Sequence, residues 1–142
     1  MTDENRRAAV ELELRHAKQA HGAARLLRQA GIHNDALSRL DYALFHTMTA
    51  LLLTEGVEPR RHSALTSLLG AHFGAPGLLT AADIAVVGRT ATYRELADYE
   101  RTWEATAGVS DAAFAEVDPL IERVKAHLVQ AGWAPLAAAE KP

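Results

Sequence analysis

The sequence predicts an all-α protein, an antiparallel bundle of four to five helices. Three observations point there. Apolar residues recur at helical spacing over long stretches, as in Val10, Leu14, Ala17, Ala24 and Leu27. Alternating Val/Ile/Thr runs that would signal strands are missing, and Ala, Leu, Glu and Arg dominate. Glycine, proline and capping residues divide the chain by short loops, and short loops make successive helices antiparallel neighbours. A chain of 142 residues fits one domain, taken as residues 1–132, followed by a frayed Ala- and Pro-rich tail over 133–142.

The first helix is expected from Asp3 to Ala30, with Gly31 as its C-terminal stop. The second starts at Asn34 or Asp35, either of which suits an N-cap, and ends at Gly56. A loop over Val57-Glu58-Pro59-Arg60-Arg61 leads to a short helix from Ser63 to Phe73, closed by Gly74-Ala75-Pro76-Gly77. Thr80, with Asp83 three residues on, opens a helix that runs to about Trp103. Gly108 breaks the chain there, and Ser110 caps a last helix ending at Gly132, kinked or divided by Pro119.

Composition narrows the chemistry. With 49% hydrophobic and 23% charged residues the chain has a core to bury and is not a disordered one. Cysteine is absent, which excludes disulfides, thiol nucleophiles and thiolate metal sites. No apolar run approaches the roughly 20 residues of a membrane span, and the polar start Met1-Thr2-Asp3-Glu4-Asn5 lacks a signal peptide's order, so a soluble cytoplasmic protein is expected. A net charge of −3 excludes bulk neutralisation of phosphates as a driving force. Residues 1–71 carry 9 Lys/Arg against 8 Asp/Glu and residues 72–142 carry 6 against 10, so what basic character exists lies in the first half.

Winding each helix at about 100° per residue locates polar residues on inward faces. On the second helix Leu37, Leu40, Leu44, Met48 and Leu51 form one stripe. The opposite side carries Arg39, Tyr42, Ala43, His46, Ala50 and Leu53, with Phe45 and Leu52 on a flank. Almost no solvated face remains, so this helix is expected to be central or covered by a partner. On the helix from Thr80, the stripe Ile84, Val87, Ala91 continues into Arg94 and Asp98, spaced to pair. An inward charge is costly unless paired. A structural ion pair is the plainest reading of Arg94 and Asp98. For Arg39, Tyr42 and His46 a buried network, a subunit interface and a reactive site all stay open.

Other chemistry finds little support. Glu13-Leu14-Arg15-His16 is a single Glu-x-x-His where a di-metal bundle site needs two, so no metal site is expected. His16, His21, His33, His72 and His127 read as surface or boundary residues, and His62 as support for a helix start or a partner contact. No Gly-rich phosphate loop occurs. Arg7, Lys18 and Arg25 share a side of the first helix, flanked by Arg15 and Arg28, and Arg60-Arg61 form a loop cluster. They read as solvated unless the patch borders Arg94.

The order Ser38-Arg39-Leu40-Asp41-Tyr42-Ala43-Leu44-Phe45-His46, Ala50-Leu51-Leu52-Leu53, Gly56, His62-Ser63-Ala64-Leu65 and Arg94-Glu95-Leu96-Ala97-Asp98-Tyr99 resembles the HEPN domains over about residues 8–130. The likeness is to the small stand-alone branch associated with minimal nucleotidyltransferases. It implies an all-α bundle, a homodimer, a nucleotidyltransferase partner in a toxin–antitoxin or defence module, RNA as target, and no cofactor. Active members are metal-independent ribonucleases in which Arg, four to six residues, then His on a late helix serve acid–base chemistry and phosphate charge at the 2′-hydroxyl.

Here Tyr99 stands where that motif has His. A phenol with a reference pKa of about 10 is a poor proton shuttle at neutral pH. The Arg39-x6-His46 spacing fits the motif literally, but on an early helix. The resemblance therefore implies a catalytic set of Arg94 to hold phosphate, Asp98 to orient it and His46 for proton transfer, with Arg39, Tyr42 and Tyr99 as binding residues. The alternative is a non-catalytic dimeric module that binds the nucleotidyltransferase or a nucleotide.

Overall fold

The computed structural model describes residues 2–75 and 77–139; Met1, Pro76 and residues 140–142 lie outside the described residues. Five α-helices are present, and no strand occurs among the described residues. Helix α1 (Asp3–Gln29) starts on Thr2, whose hydroxyl accepts a hydrogen bond from the Asn5 N–H at 3.1 Å. It stops where Gly31 takes φ +77°, a left-handed geometry suited to glycine.

Helix α2 (His33–Leu53) is the centre of the bundle. It packs along α1 and also against α4 and α5, so both its leucine stripe and the Ala43, Ala50 and Leu53 side are buried. The missing solvated face in the sequence has this cause. The start differs from expectation. Ile32 occupies the N-cap position with no side-chain cap. Asn34 instead clamps the distant α4–α5 connection: its Nδ2 donates to the Trp103 carbonyl at 3.0 Å and its Oδ1 accepts from the Ala105 N–H at 2.8 Å.

The expected short helix is three consecutive turns: a 3-10 turn (His62–Ala64), α3 (Leu65–Leu69) and a π-helical turn (Gly70–Gly74). Helix α4 (Ala81–Tyr99) opens with a complete capping box in which Thr80 and Asp83 satisfy each other's backbone N–H groups. It ends four residues before Trp103. Glu100 turns extended (φ −93°, ψ 104°), which lets Trp103 fold back onto Tyr93 with ring centroids 6.3 Å apart. Helix α5 (Ala107–Gln130) begins earlier than expected, because Thr106 is its cap and accepts from the Val109 N–H at 3.1 Å. Gly108 lies inside its first turn and Ser110 is a buried residue within it. The helix runs unbroken through Pro119.

The tail differs too. Arg7 donates from Nε to the Gly132 carbonyl at 3.0 Å, and its guanidinium lies 5.5 Å from the Trp133 ring centre. Trp133, Ala134 and Ala138 pack on the core, and Leu136–Ala139 form a 3-10 turn. Fraying therefore does not begin at Trp133; the expectation for 140–142 falls outside the described residues. No helix among the described residues is long and apolar enough to cross a membrane.

Candidate functional site

The inward stripe of α4 ends in charge. Arg94, with its side chain 11% exposed, reaches α2 and meets Asp41, whose side chain is 4% exposed, at 3.0 Å from Nε to Oδ2. Asp98, one turn on, lies 3.6 Å from Arg94 Nη1 and accepts a hydrogen bond from the Ser38 hydroxyl at 2.8 Å. Ser38 and Asp41 are three residues apart and so share a face of α2. Two helices distant in sequence are thus joined by two carboxylates and one guanidinium. From the 3-10 turn, His62 Nε2 comes within 3.5 Å of the same Asp41 oxygen.

Burial and charge set the protonation of this cluster. Burial pushes the Asp41 carboxyl up to about 6 against the pull of Arg94, and Asp98 and Glu95 push the same way. Burial, and then the charge of Arg94, lowers the pKa of His62 and favours its neutral form. Arg94 is also desolvated, but Asp41, Tyr99, Tyr42 and Asp98 outweigh this and hold its charge more firmly than usual.

Beside the cluster, α1 and α2 bound a cleft of about 570 Å³ whose walls include His16, Gln19, Arg39, Tyr42 and His46. His46 Nδ1 is 2.5 Å from Glu13 Oε2 on α1, and its ring stacks on His16 with centroids 5.2 Å apart. Exposed Arg39 lays its guanidinium 4.5 Å from the Tyr42 ring centre, while Arg94 approaches the same ring to 6.0 Å. Tyr42 therefore links the Arg39/His46 cleft to the Arg94 pair. His62 continues the contact, edge-on to Tyr42 at 5.9 Å and stacked on Phe45 at 3.8 Å. Tyr99 is 77% exposed and lines a second cleft with Arg94.

The structure thus places Arg94, Asp98, Arg39 and Tyr42 around one junction, with His46 in the adjoining cleft and Tyr99 at its outer edge. Three partners were missed by sequence reasoning: Asp41, Glu13 and His62. Asp41 carried a readable signal, since it falls on the Leu37, Leu44, Met48 stripe and there needs a cation. His62 carried a weaker one, as the residue opening the His62-Ser63 helix start, and Glu13 carried none, because its contact depends on how α1 and α2 dock.

Arg60 and Arg61 directly precede His62 in the chain, and Arg7 and Arg28 are committed to Gly132 and Asp111 on the α5 side. His21, expected at the surface or a boundary, is 1% exposed and sits 2.6 Å from Asp118 of α5. Asp118, which only docking supplies, partners the Nε2 of this desolvated imidazole, while its Nδ1 is buried without a hydrogen-bond partner. No group of three or more His, Asp or Glu near enough to share a metal ion occurs among the described residues.

Chemically, the junction offers fixed positive charge beside a histidine–carboxylate pair, a combination suited to a phosphate ester. The chain is 26% identical over 122 residues to "Putative toxin MJ0605" of Methanocaldococcus jannaschii, covering 86% of this chain and 90% of that protein. It is 27% identical over 95 residues to "Putative toxin MJ0142" of the same organism, covering 67% of this chain and 65% of that one. "UPF0332 protein PH1297" of Pyrococcus horikoshii is 36% identical over 70 residues, 49% of each chain. The HEPN domain family matches residues 10–129, which span the bundle from α1 through nearly all of α5. The chain belongs to the HEPN domain family.

Proposed function

We propose that the protein is a HEPN toxin that binds and cleaves RNA at the junction of α1, α2 and α4, in a module whose partner is a nucleotidyltransferase. The observation that carries this reading is the His46–Glu13 pair, 2.5 Å apart, in the same cleft as exposed Arg39. Glu13 fixes the orientation of the imidazole, as a carboxylate does for a histidine base. His46 removes the proton of an RNA 2′-hydroxyl. The oxygen attacks phosphorus, a 2′,3′-cyclic phosphate forms as the P–O5′ bond breaks, and the leaving 5′-oxygen takes a proton from solvent. Arg39 and Arg94 balance the charge gathering on the phosphoryl oxygens, while Asp98 and Tyr42 keep the guanidinium groups in place. The relatives' names support the toxin assignment, and the family supports RNA. A homodimer places two such sites in one particle.

Purified protein is expected to degrade RNA equally with and without chelator. His46→Ala should lower that rate about 10²–10⁴-fold, the usual contribution of a general base, with the circular dichroism spectrum unchanged. Undiminished cleavage by His46→Ala overturns the assignment.

A second reading has its own support: Tyr99 replaces the late-helix histidine, and Asp41 already occupies Arg94. The protein is then a non-catalytic module that binds the nucleotidyltransferase or a nucleotide. RNA stays intact in that case, and Arg94→Ala acts mainly on stability, by about 3–5 kcal/mol for a broken buried pair.

A further inference from the structure

Three buried polar atoms face one another where α2, α4 and the 3-10 turn meet. Arg94 Nε and His62 Nε2 lie 3.0 and 3.5 Å from Asp41 Oδ2, and none of the three makes an aligned hydrogen bond. Buried guanidinium–carboxylate pairs are ordinarily closed by directed bonds, and leaving such atoms undirected is costly. Asp41 Oδ2 thus has two cationic or polar neighbours within reach, Arg94 Nε and His62 Nε2. The charged and titratable groups around Asp41 are Arg94, Glu95 and Asp98 on α4 and His62 on the turn, with His46 of α2 acting on His62.

A protonated carboxyl needs an acceptor for its O–H, and His62, favoured as the neutral imidazole, supplies one. A neutral acid no longer balances Arg94, which also lines the surface cleft of about 420 Å³ beside Tyr99. Burial raises the Asp41 carboxyl to about 6, so this protonation falls close to neutral pH.

Resting on the reading that this junction holds RNA phosphate, we infer that Asp41 is a proton-gated counter-ion. Ionised, it occupies Arg94. Protonated, it turns its O–H to His62 Nε2 and leaves the guanidinium to a phosphate oxyanion. One proton enters from solvent, one ion pair is exchanged for a hydrogen bond, and Arg94 stays charged throughout. Anion binding is then coupled to uptake of one proton.

The test follows the Asp41 Cγ and Arg94 Nε–Hε resonances of the full chain by NMR between pH 5 and 8. It is run with and without sulfate, an anion of constant charge over that range. A fluorescent single-stranded oligoribonucleotide is titrated in parallel. Expected are a shared midpoint for the two resonances and a sulfate-induced shift of Arg94 that is larger at pH 5.5 than at 7.5. Above that midpoint, RNA affinity should fall by up to about tenfold per pH unit, the limit for one linked proton. Asp41→Asn should bind at pH 7.5 as the wild type does at 5.5.

Separate midpoints, or equal sulfate binding at both pH values, overturn the inference whether or not RNA binds. A shared midpoint with pH-dependent sulfate binding but no RNA binding upholds the gate and overturns the RNA reading. Should Asp41→Asn fail to fold, the wild-type titration decides alone.

Discussion

Asp41 places a carboxylate where α2 otherwise presents hydrocarbon, and its titration leaves a mark on stability. Its folded value of about 6 lies above the ordinary 3.8. Between those values the folded protein holds a proton that the unfolded chain has lost. The contribution of this group is therefore fully present below pH 3.8 and is lost as pH rises through 6. The difference corresponds to about 3 kcal/mol, at 1.36 kcal/mol per unit. Asp83 works in the opposite sense. Burial pushes it up, but Arg123 and Thr80 outweigh burial and hold it below its usual value, so its contribution is lost on acidification.

The wild type alone mixes the two signs; comparison with Asp41→Asn separates them. Urea denaturation is expected to show Asp41→Asn gaining about 2 kcal/mol on the wild type between pH 4 and 7.5. A pH-independent gap would mean that Asp41 titrates at its ordinary value. That Arg94 is an inward charge was legible from periodicity alone, whereas Asp98, expected on the same stripe, lies at its exposed rim. The principal partner of Arg94 was not legible, because Asp98 offered an adequate local answer one turn away and the Asp41 pairing exists only after α2 and α4 dock.

At the scale of single elements, the helix ends separate what local chemistry determines from what packing determines. The Thr80 and Asp83 box was legible because both halves lie within three residues and depend on nothing else. The start of α5 was not, since Thr106 and Ser110 are equally good caps by type. Packing decides between them: Ser110 shares a face with Ala113, Phe114 and Val117, so a helix containing it buries that face. Ser110 Oγ is left buried with no hydrogen-bond partner, while Thr106 keeps its bond to Val109. Thermal or urea unfolding should distinguish the two. Thr106→Ala is expected to cost about 1 kcal/mol as a lost N-cap. Ser110→Ala should be neutral or stabilising, because it removes a buried polar atom without breaking a bond. The reverse ranking would restore the later start.

For the whole molecule, α2 at the centre follows from a helix with no solvated side, and the family-wide bundle follows with it. The C-terminal segment is where composition misled. Ala and Pro after Gly132 suggest fraying, yet Trp133 brings enough apolar surface to hold the chain down, and Arg7 on α1 receives both its ring and the Gly132 carbonyl. This clasp ties the first turns of the chain to the last, at the end of α1 away from the Arg28–Asp111 pair. Burial of a partly covered indole contributes about 2 kcal/mol at 25 cal/mol per Å². Trp133→Ala is therefore expected to lower unfolding free energy by about that amount, and a chain ended after Ala131 by at least as much. Hydrogen exchange should then speed up in the first two turns of α1, where Arg7 sits, while the α2 amides change only with global stability. Unchanged exchange there would mean that α1 holds its start without the tail.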